Sequence, residues 1–127
     1  MNLLIDTHLL LWLSQRVEKM PAAASALILD ADNVPFFSAA SMWEIAVKKQ
    51  TRPDFETDAV SLRRNLIDAG FIELPIWSVH TLAVETMPMI HKDPFDRILI
   101  AQAMTEGLTL LTSDTLIARY PGPILKV

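Results

Sequence analysis

No cysteine occurs in the 127 residues, which excludes a disulfide framework and any thiolate metal site and favours an intracellular setting. A metal held by this chain must take oxygen or histidine ligands, and histidines number only three. Glycine is as scarce, with three residues, so a glycine-rich sandwich or a flexible low-complexity tail is excluded and helices are favoured. Basic charge is also short. Lys and Arg number 11 against 15 Asp and Glu, a net charge of −4, which lacks the overall basic footprint of a stoichiometric nucleic-acid binder while leaving room for a small local phosphate-binding patch. Long apolar runs are missing as well. The internal run "ILIAQAM" falls far short of the roughly 20 residues that span a bilayer. The apolar N-terminus has no basic region before it, is interrupted by Asp6 and His8, and shows no small-residue cleavage site. The expectation is a soluble, cytoplasmic protein with no membrane partner.

Hydrophobic residues are abundant, at 51% of the chain, enough for one dense core; residues 1–127 read as a single domain. Short β-rich runs fall at Leu3 to Ile5, Val34 to Phe37, Phe71 to Ile76, Leu108 to Leu111 and Ile124 to Val127. Helical stretches lie between them. "PAAASALILDA" has Pro21 at a plausible first helical position, "SMWEIAVKK" has Ser41 as a candidate cap, and "DAVSLRRNLIDAG" ends on Gly70. "SVHTLAVETM", "DPFDRILIAQAMTEG" and the short "TLIARY" complete the helical set. Apolar strands alternating with helices predict an α/β fold, a three-layer α/β/α sandwich around a parallel sheet of about five strands.

Five acids interrupt this pattern, and all but Asp96 have a ready structural explanation. Asp6 follows the first strand and suits an N-cap for the helix starting near His8. Glu44 completes an S-x-x-E capping box with Ser41 and an i,i+4 pair with Lys48. Asp93 before Pro94 reads as N-cap and N1. Asp96, one turn into a helix apolar on most sides, is harder to dismiss, because a buried carboxylate needs a partner. Asp114 repeats the arrangement of Asp6 and can cap "TLIARY".

Taken together, Asp6, Glu44, Asp96 and Asp114 can gather at one edge of a parallel sheet, where open α/β folds place their ligands. Carboxylates so crowded raise one another's pKa, and a divalent cation is the natural compensation. With oxygen donors and no thiolate, that cation is hard, Mg²⁺ or Mn²⁺. Phosphodiester hydrolysis is the chemistry such a site favours.

The segments "LLIDTHLLLWL", "SAASMWEIAVK", "HKDPFDRILIAQA" and "LLTSDTLIARY" resemble, in order and spacing, the four acidic motifs of PIN domains, and most closely the toxin ribonucleases of VapBC-type toxin-antitoxin pairs. The resemblance spans essentially the whole chain, with "DPFDR" before "LIAQA" as its specific signal. It implies Mg²⁺- or Mn²⁺-dependent endonucleolytic cleavage of RNA, a cognate antitoxin and a homodimer. By this likeness Asp6, Glu44 and Asp96 match the three main acids and Asp114 the more variable fourth. Asp6 and Asp96 would bind the metal directly, and Glu44 and Asp114 would orient its waters or a second ion. Thr7, Ser38 and Thr112 match polar positions beside the acids, and Lys48, Lys49, Arg52 and Arg97 form a candidate phosphate-steering strip. His91, just before Asp93, could touch phosphate or act in proton transfer but reads chiefly as a structural or capping residue, and Trp12, Trp43 and Trp77 read as core or interface anchors. Two other functions compete: a catalytically silent PIN-like module that binds RNA or protein, and a phosphatase of the haloacid dehalogenase type. The latter needs an acid two residues after Asp6, where His8 stands.

Overall fold

Leu3, Leu4 and Ile5 are fully buried, and this run, apolar on both faces, makes the central strand of a sheet covered on two sides. The computed structural model describes all residues, Met1–Val127. Its strands are β1 (Asn2–Ile5), β2 (Val34–Ser38), β3 (Ile72–Leu74), β4 (Thr109–Thr112) and β5 (Ile124–Lys126). They form one five-stranded sheet in the order β3-β2-β1-β4-β5, and every pairing is parallel. Ile5 lies opposite Leu111 in the register. The chain runs outward from β1 through β2 to β3, then returns to place β4 on the other side of β1. The strand order thus reverses between β1 and β4, and the crevice beyond their carboxyl ends is where such sheets bind ligands.

The helices are α1 (Thr7–Gln15), α2 (Ala22–Leu29), α3 (Ala39–Thr51), α4 (Ala59–Asp68), α5 (Ser78–Ala83) and α6 (Pro94–Glu106). Alternation along β1 divides the core. Leu4 and Leu110 pack with Leu99, Ile100 and Ala103 of α6, while Leu3, Ile5 and Leu111 pack with Leu9, Ile45 and Leu66 from α1, α3 and α4. Each fully buried Leu or Ile side chain contributes about 1.5–3 kcal/mol. Helix α6 is buried without interruption from Asp96 to Ala103, capped by Asp93 at its start and closed by Gly107 at φ 68°. No helix is long and apolar enough to cross a membrane.

The expected three-layer parallel fold is present, with local departures. Helix α3 begins at Ala39, directly on leaving β2, and its cap is Ser38, whose Oγ accepts from the Ala40 N–H at 2.9 Å. Ser41 is therefore inside the first turn, and the expected Ser41–Glu44 capping box does not form. Strand β3 covers only Ile72–Leu74, because Pro75 lacks an N–H to continue the ladder. "TLIARY" yields a single 3₁₀ turn, Ile117–Arg119, ahead of Pro121. Trp12 packs against the second core layer, but Trp43 and Trp77 are each 59% exposed, so neither is a core anchor. Trp43 stacks edge-on against Phe95 at 4.8 Å between ring centroids.

Candidate active site

The first acid is placed by a change of conformation. At Asp6 the chain leaves β1 and starts α1, with Asp6 as N-cap accepting from the His8 N–H at 3.4 Å. Its other oxygen accepts from the Thr112 hydroxyl at 2.6 Å. That hydroxyl, at the end of β4, in turn accepts from the Asp114 N–H at 3.0 Å, so Thr112 joins the two strand ends that flank the switch point. Thr7 is bound to Ser41 by a hydroxyl pair at 2.7 Å, which fixes the start of α1 against α3.

Asp6 is fully buried. Burial raises its pKa, the Thr112 and His8 contacts oppose that, and the Asp114 carboxylate adds to it. Asp96, 5% exposed, is pushed up to about 8, first by burial and then by the carboxylates of Asp93, Asp6, Glu44 and Asp114. All four expected acids therefore share one electrostatic neighbourhood. Glu44 is buried on α3. Its Oε2 accepts from Lys48 Nζ at 2.7 Å, as expected of the i,i+4 pair, while its Oε1 is buried without a hydrogen-bond partner.

His91 lies at the same site, as the lesser of its two sequence readings expected. Its Nε2 lies 2.9 Å from Asp96 Oδ2 and 3.7 Å from Asp114 Oδ2, and its Nδ1 accepts from the Asp93 N–H at 3.2 Å. An Nδ1 that accepts leaves Nε2 as the ring nitrogen turned to the acids, and His91 Nε2 and the Asp96 and Asp114 oxygens all lie within 4.8 Å of one another. Tyr120 and Arg97 hold the ring's backbone in place. The Tyr120 hydroxyl accepts from the His91 N–H at 2.7 Å and from Arg97 Nη1 at 3.0 Å. The signal available in the sequence was the nearness of His91 to Asp93, the N-cap of the helix that carries Asp96; nothing in the sequence singled out Tyr120.

Arg97 of the expected steering strip and Ser38, expected beside the acids, face elsewhere. Arg97 is buried, donating to the carbonyls of Pro88 at 2.9 Å and Val84 at 3.1 Å. One residue beyond Asp96 on a helix, it is turned to a different face, and it ties the segment before α6 to that helix. Ser38 is also fully buried; its hydroxyl donates to Gln102 Oε1 at 2.6 Å, so it serves packing between α3 and α6. Lys49 reaches only the Glu56 carbonyl, at 3.5 Å.

The clustered donors are carboxylate oxygens, one of them on Glu44 buried and unpartnered, and this set fits a hard divalent cation. Such an ion would relieve the repulsion that raises Asp96, and Asp6, Asp96, Glu44 and Asp114 are the residues available to hold it and its waters.

Relatives match the chain along nearly their whole lengths. The chain is 29% identical over 126 residues to Ribonuclease VapC22 of Mycobacterium tuberculosis (strain ATCC 25618 / H37Rv), an alignment covering 97% of this chain and 96% of that protein. Its fold matches that of a chain in the crystal structure of VapBC2 from Rickettsia felis bound to a DNA fragment from their promoter, with a TM-score of 0.75, 15% identity and coverage of 99% of this chain and 98% of that one. A chain of the DNA-bound VapBC from Salmonella typhimurium matches with a TM-score of 0.65, 13% identity and the same coverage, 99% and 98%. The PIN domain family matches residues 3–123. With that span matched and the acids gathered at the β1/β4 switch point, the chain belongs to the PIN-domain family.

Proposed function

We propose that this chain, acting as one PIN unit, is a Mg²⁺- or Mn²⁺-dependent endoribonuclease and the toxin of a VapBC-type pair, working in the cytoplasm. The observation that carries this reading is the gathering of Asp6, Glu44, Asp96 and Asp114 at the β1/β4 switch point, where burial first and the neighbouring carboxylates next push Asp96 up to about 8, an arrangement that a cation would stabilise. A relative bearing the name ribonuclease along nearly its whole length supports the substrate, and fold neighbours solved as VapBC complexes support an antitoxin partner.

When bound, the ion would supply Lewis acidity and an activated water for attack on phosphorus. The protein supplies placement. Asp6 and Asp96 would hold the cation, with Asp6 fixed by Thr112 and α1 and Asp96 fixed by its place in the first turn of α6. Glu44 and Asp114 would orient water at the rim, and Lys48 aims the Glu44 carboxylate. No side-chain nucleophile is needed.

Purified protein incubated with structured RNA tests the proposal. Cleavage is expected with Mg²⁺ or Mn²⁺ and not with EDTA, and Asp96→Asn should abolish it. RNA left intact by the metal-loaded wild type would refute the enzyme and favour the silent binding module.

A further inference from the structure

Beside the acidic centre lies a cleft of about 420 Å³, with Glu44, Lys48 and Thr51 of α3 and Arg52 at its C-terminal cap on one wall and Lys92 and Asp93 on the other. Its volume falls within the about 300–1,000 Å³ of small-ligand sites. Its charges are unevenly matched. Lys48 is paired with Glu44, and Asp93 Oδ1 caps α6 through the Phe95 and Asp96 N–H groups. Arg52 and Lys92 are exposed, and neither is in any of the molecule's ion pairs. Two unpaired cations thus face one cleft in a protein of net charge −4.

We propose, resting on the ribonuclease reading above, that this cleft binds the phosphodiester adjacent to the one cleaved, with Arg52 and Lys92 as its charge contacts. Continuity favours this occupant. Glu44 is both a wall of the cleft and a member of the acidic group, and Asp93 lies one helical turn from Asp96. A strand with one phosphate at the acids therefore carries a neighbouring phosphate past Arg52 and Lys92. The Arg52 guanidinium can grip two phosphate oxygens in its planar fork, and Lys92 adds a compact charge. The local field also answers a difficulty of the site: a polyanion approaching a carboxylate cluster on an acidic protein is repelled, and unpaired cations at the rim reverse that repulsion where the strand enters. The expected steering strip is thereby redrawn, with Lys92 replacing the buried Arg97.

The test is fluorescence anisotropy of a short fluorescein-labelled single-stranded RNA, in EDTA to prevent cleavage, across a series of KCl concentrations. For the double variant Arg52→Gln/Lys92→Gln, binding should weaken and the slope of log K against log[salt] should fall by about 0.7, the value for one phosphate on a single strand. Arg64→Gln, exposed on α4, should match wild type. In the cleavage assay the double variant should raise KM and leave kcat unchanged, the mark of lost uniform binding. An unchanged slope, no RNA binding by wild type, or an equal fall in Arg64→Gln would overturn the subsite; so would displacement of poly-glutamate but not RNA by the double substitution, which would assign the cleft to an acidic protein segment. Intact RNA in the metal-loaded assay, with the slope difference present, would defeat the enzymatic reading and leave the subsite standing.

Discussion

Metal binding by this protein should release a proton. Asp96 is held at about 8 against an ordinary 3.8, so at pH 7 only roughly a tenth of the metal-free protein has it ionised. A cation must displace that proton to bind. Its apparent affinity should then rise about tenfold, or about 1.4 kcal/mol, for each pH unit between about 6 and 8, and level off above. The same shift acts on stability with a definite sign. Between 3.8 and about 8 the folded protein holds a proton that the unfolded chain has lost, so stability falls as pH rises through that window. The full shift of about 4 units corresponds to a ceiling of about 6 kcal/mol. Solvent screening at the open edge of the site reduces this to about 2–3 kcal/mol. Asp96→Asn should therefore equal wild type near pH 4, exceed its metal-free stability by about 2–3 kcal/mol at pH 8, and lose metal affinity. Mn²⁺ calorimetry in buffers of different ionisation enthalpy counts the protons, and urea unfolding across pH gives the stability. Metal affinity flat between pH 6 and 8 with no proton release would refute the reasoning.

Glu44→Gln should keep its stability, since the Lys48 pair is partly exposed and worth at most about 1 kcal/mol, yet slow RNA cleavage by about 10²–10³-fold; full activity in a gel assay would return Glu44 to a structural role. Thr112→Val deletes both the donor to Asp6 and the acceptor of the Asp114 N–H, so unfolding should show a loss of about 1–3 kcal/mol together with weaker Mn²⁺ binding; wild-type values for both would deny Thr112 its bridging role. Free protein should scatter light near twice its 14.2 kDa chain mass, and an antitoxin that inserts an Arg among the acids as counter-charge should weaken Mn²⁺ binding in the complex. A strict monomer, or equal metal affinity in both states, would refute these last two expectations separately.

The sheet was legible because its signals are local: apolar runs such as Leu3 to Ile5 can be buried only as strands, and their alternation with helices admits few arrangements. Chain boundaries were less so. Ser38 and Ser41 are both good caps, and only the end of β2 decides that α3 begins at Ala39. Arg97 and His91 show a further limit. Both flank the acid motif, but one residue's rotation around α6 carries Arg97 into a cage of carbonyls, while the backbone before α6 returns His91 to Asp96. Such placements depend on Tyr120, far away in sequence, and no spacing rule reaches it.

At Asp114 and Glu44 a structural role and a place in the shared site are compatible, because a carboxylate has two oxygens. Asp114 Oδ1 caps the Ile117 turn through the Leu116 and Ile117 N–H groups at 2.7 and 3.1 Å, while its Oδ2 faces His91. Glu44 gives Oε2 to Lys48 and leaves Oε1 unpartnered. One oxygen anchors the side chain to its own helix or turn, and the other remains for the shared site. A capping residue is therefore a good place to keep a functional acid: the cap fixes the side chain's rotamer, and fixing it costs the site little further entropy when a ligand arrives. Amide substitution separates the two roles, since Asn or Gln retains the anchoring oxygen and loses the charge.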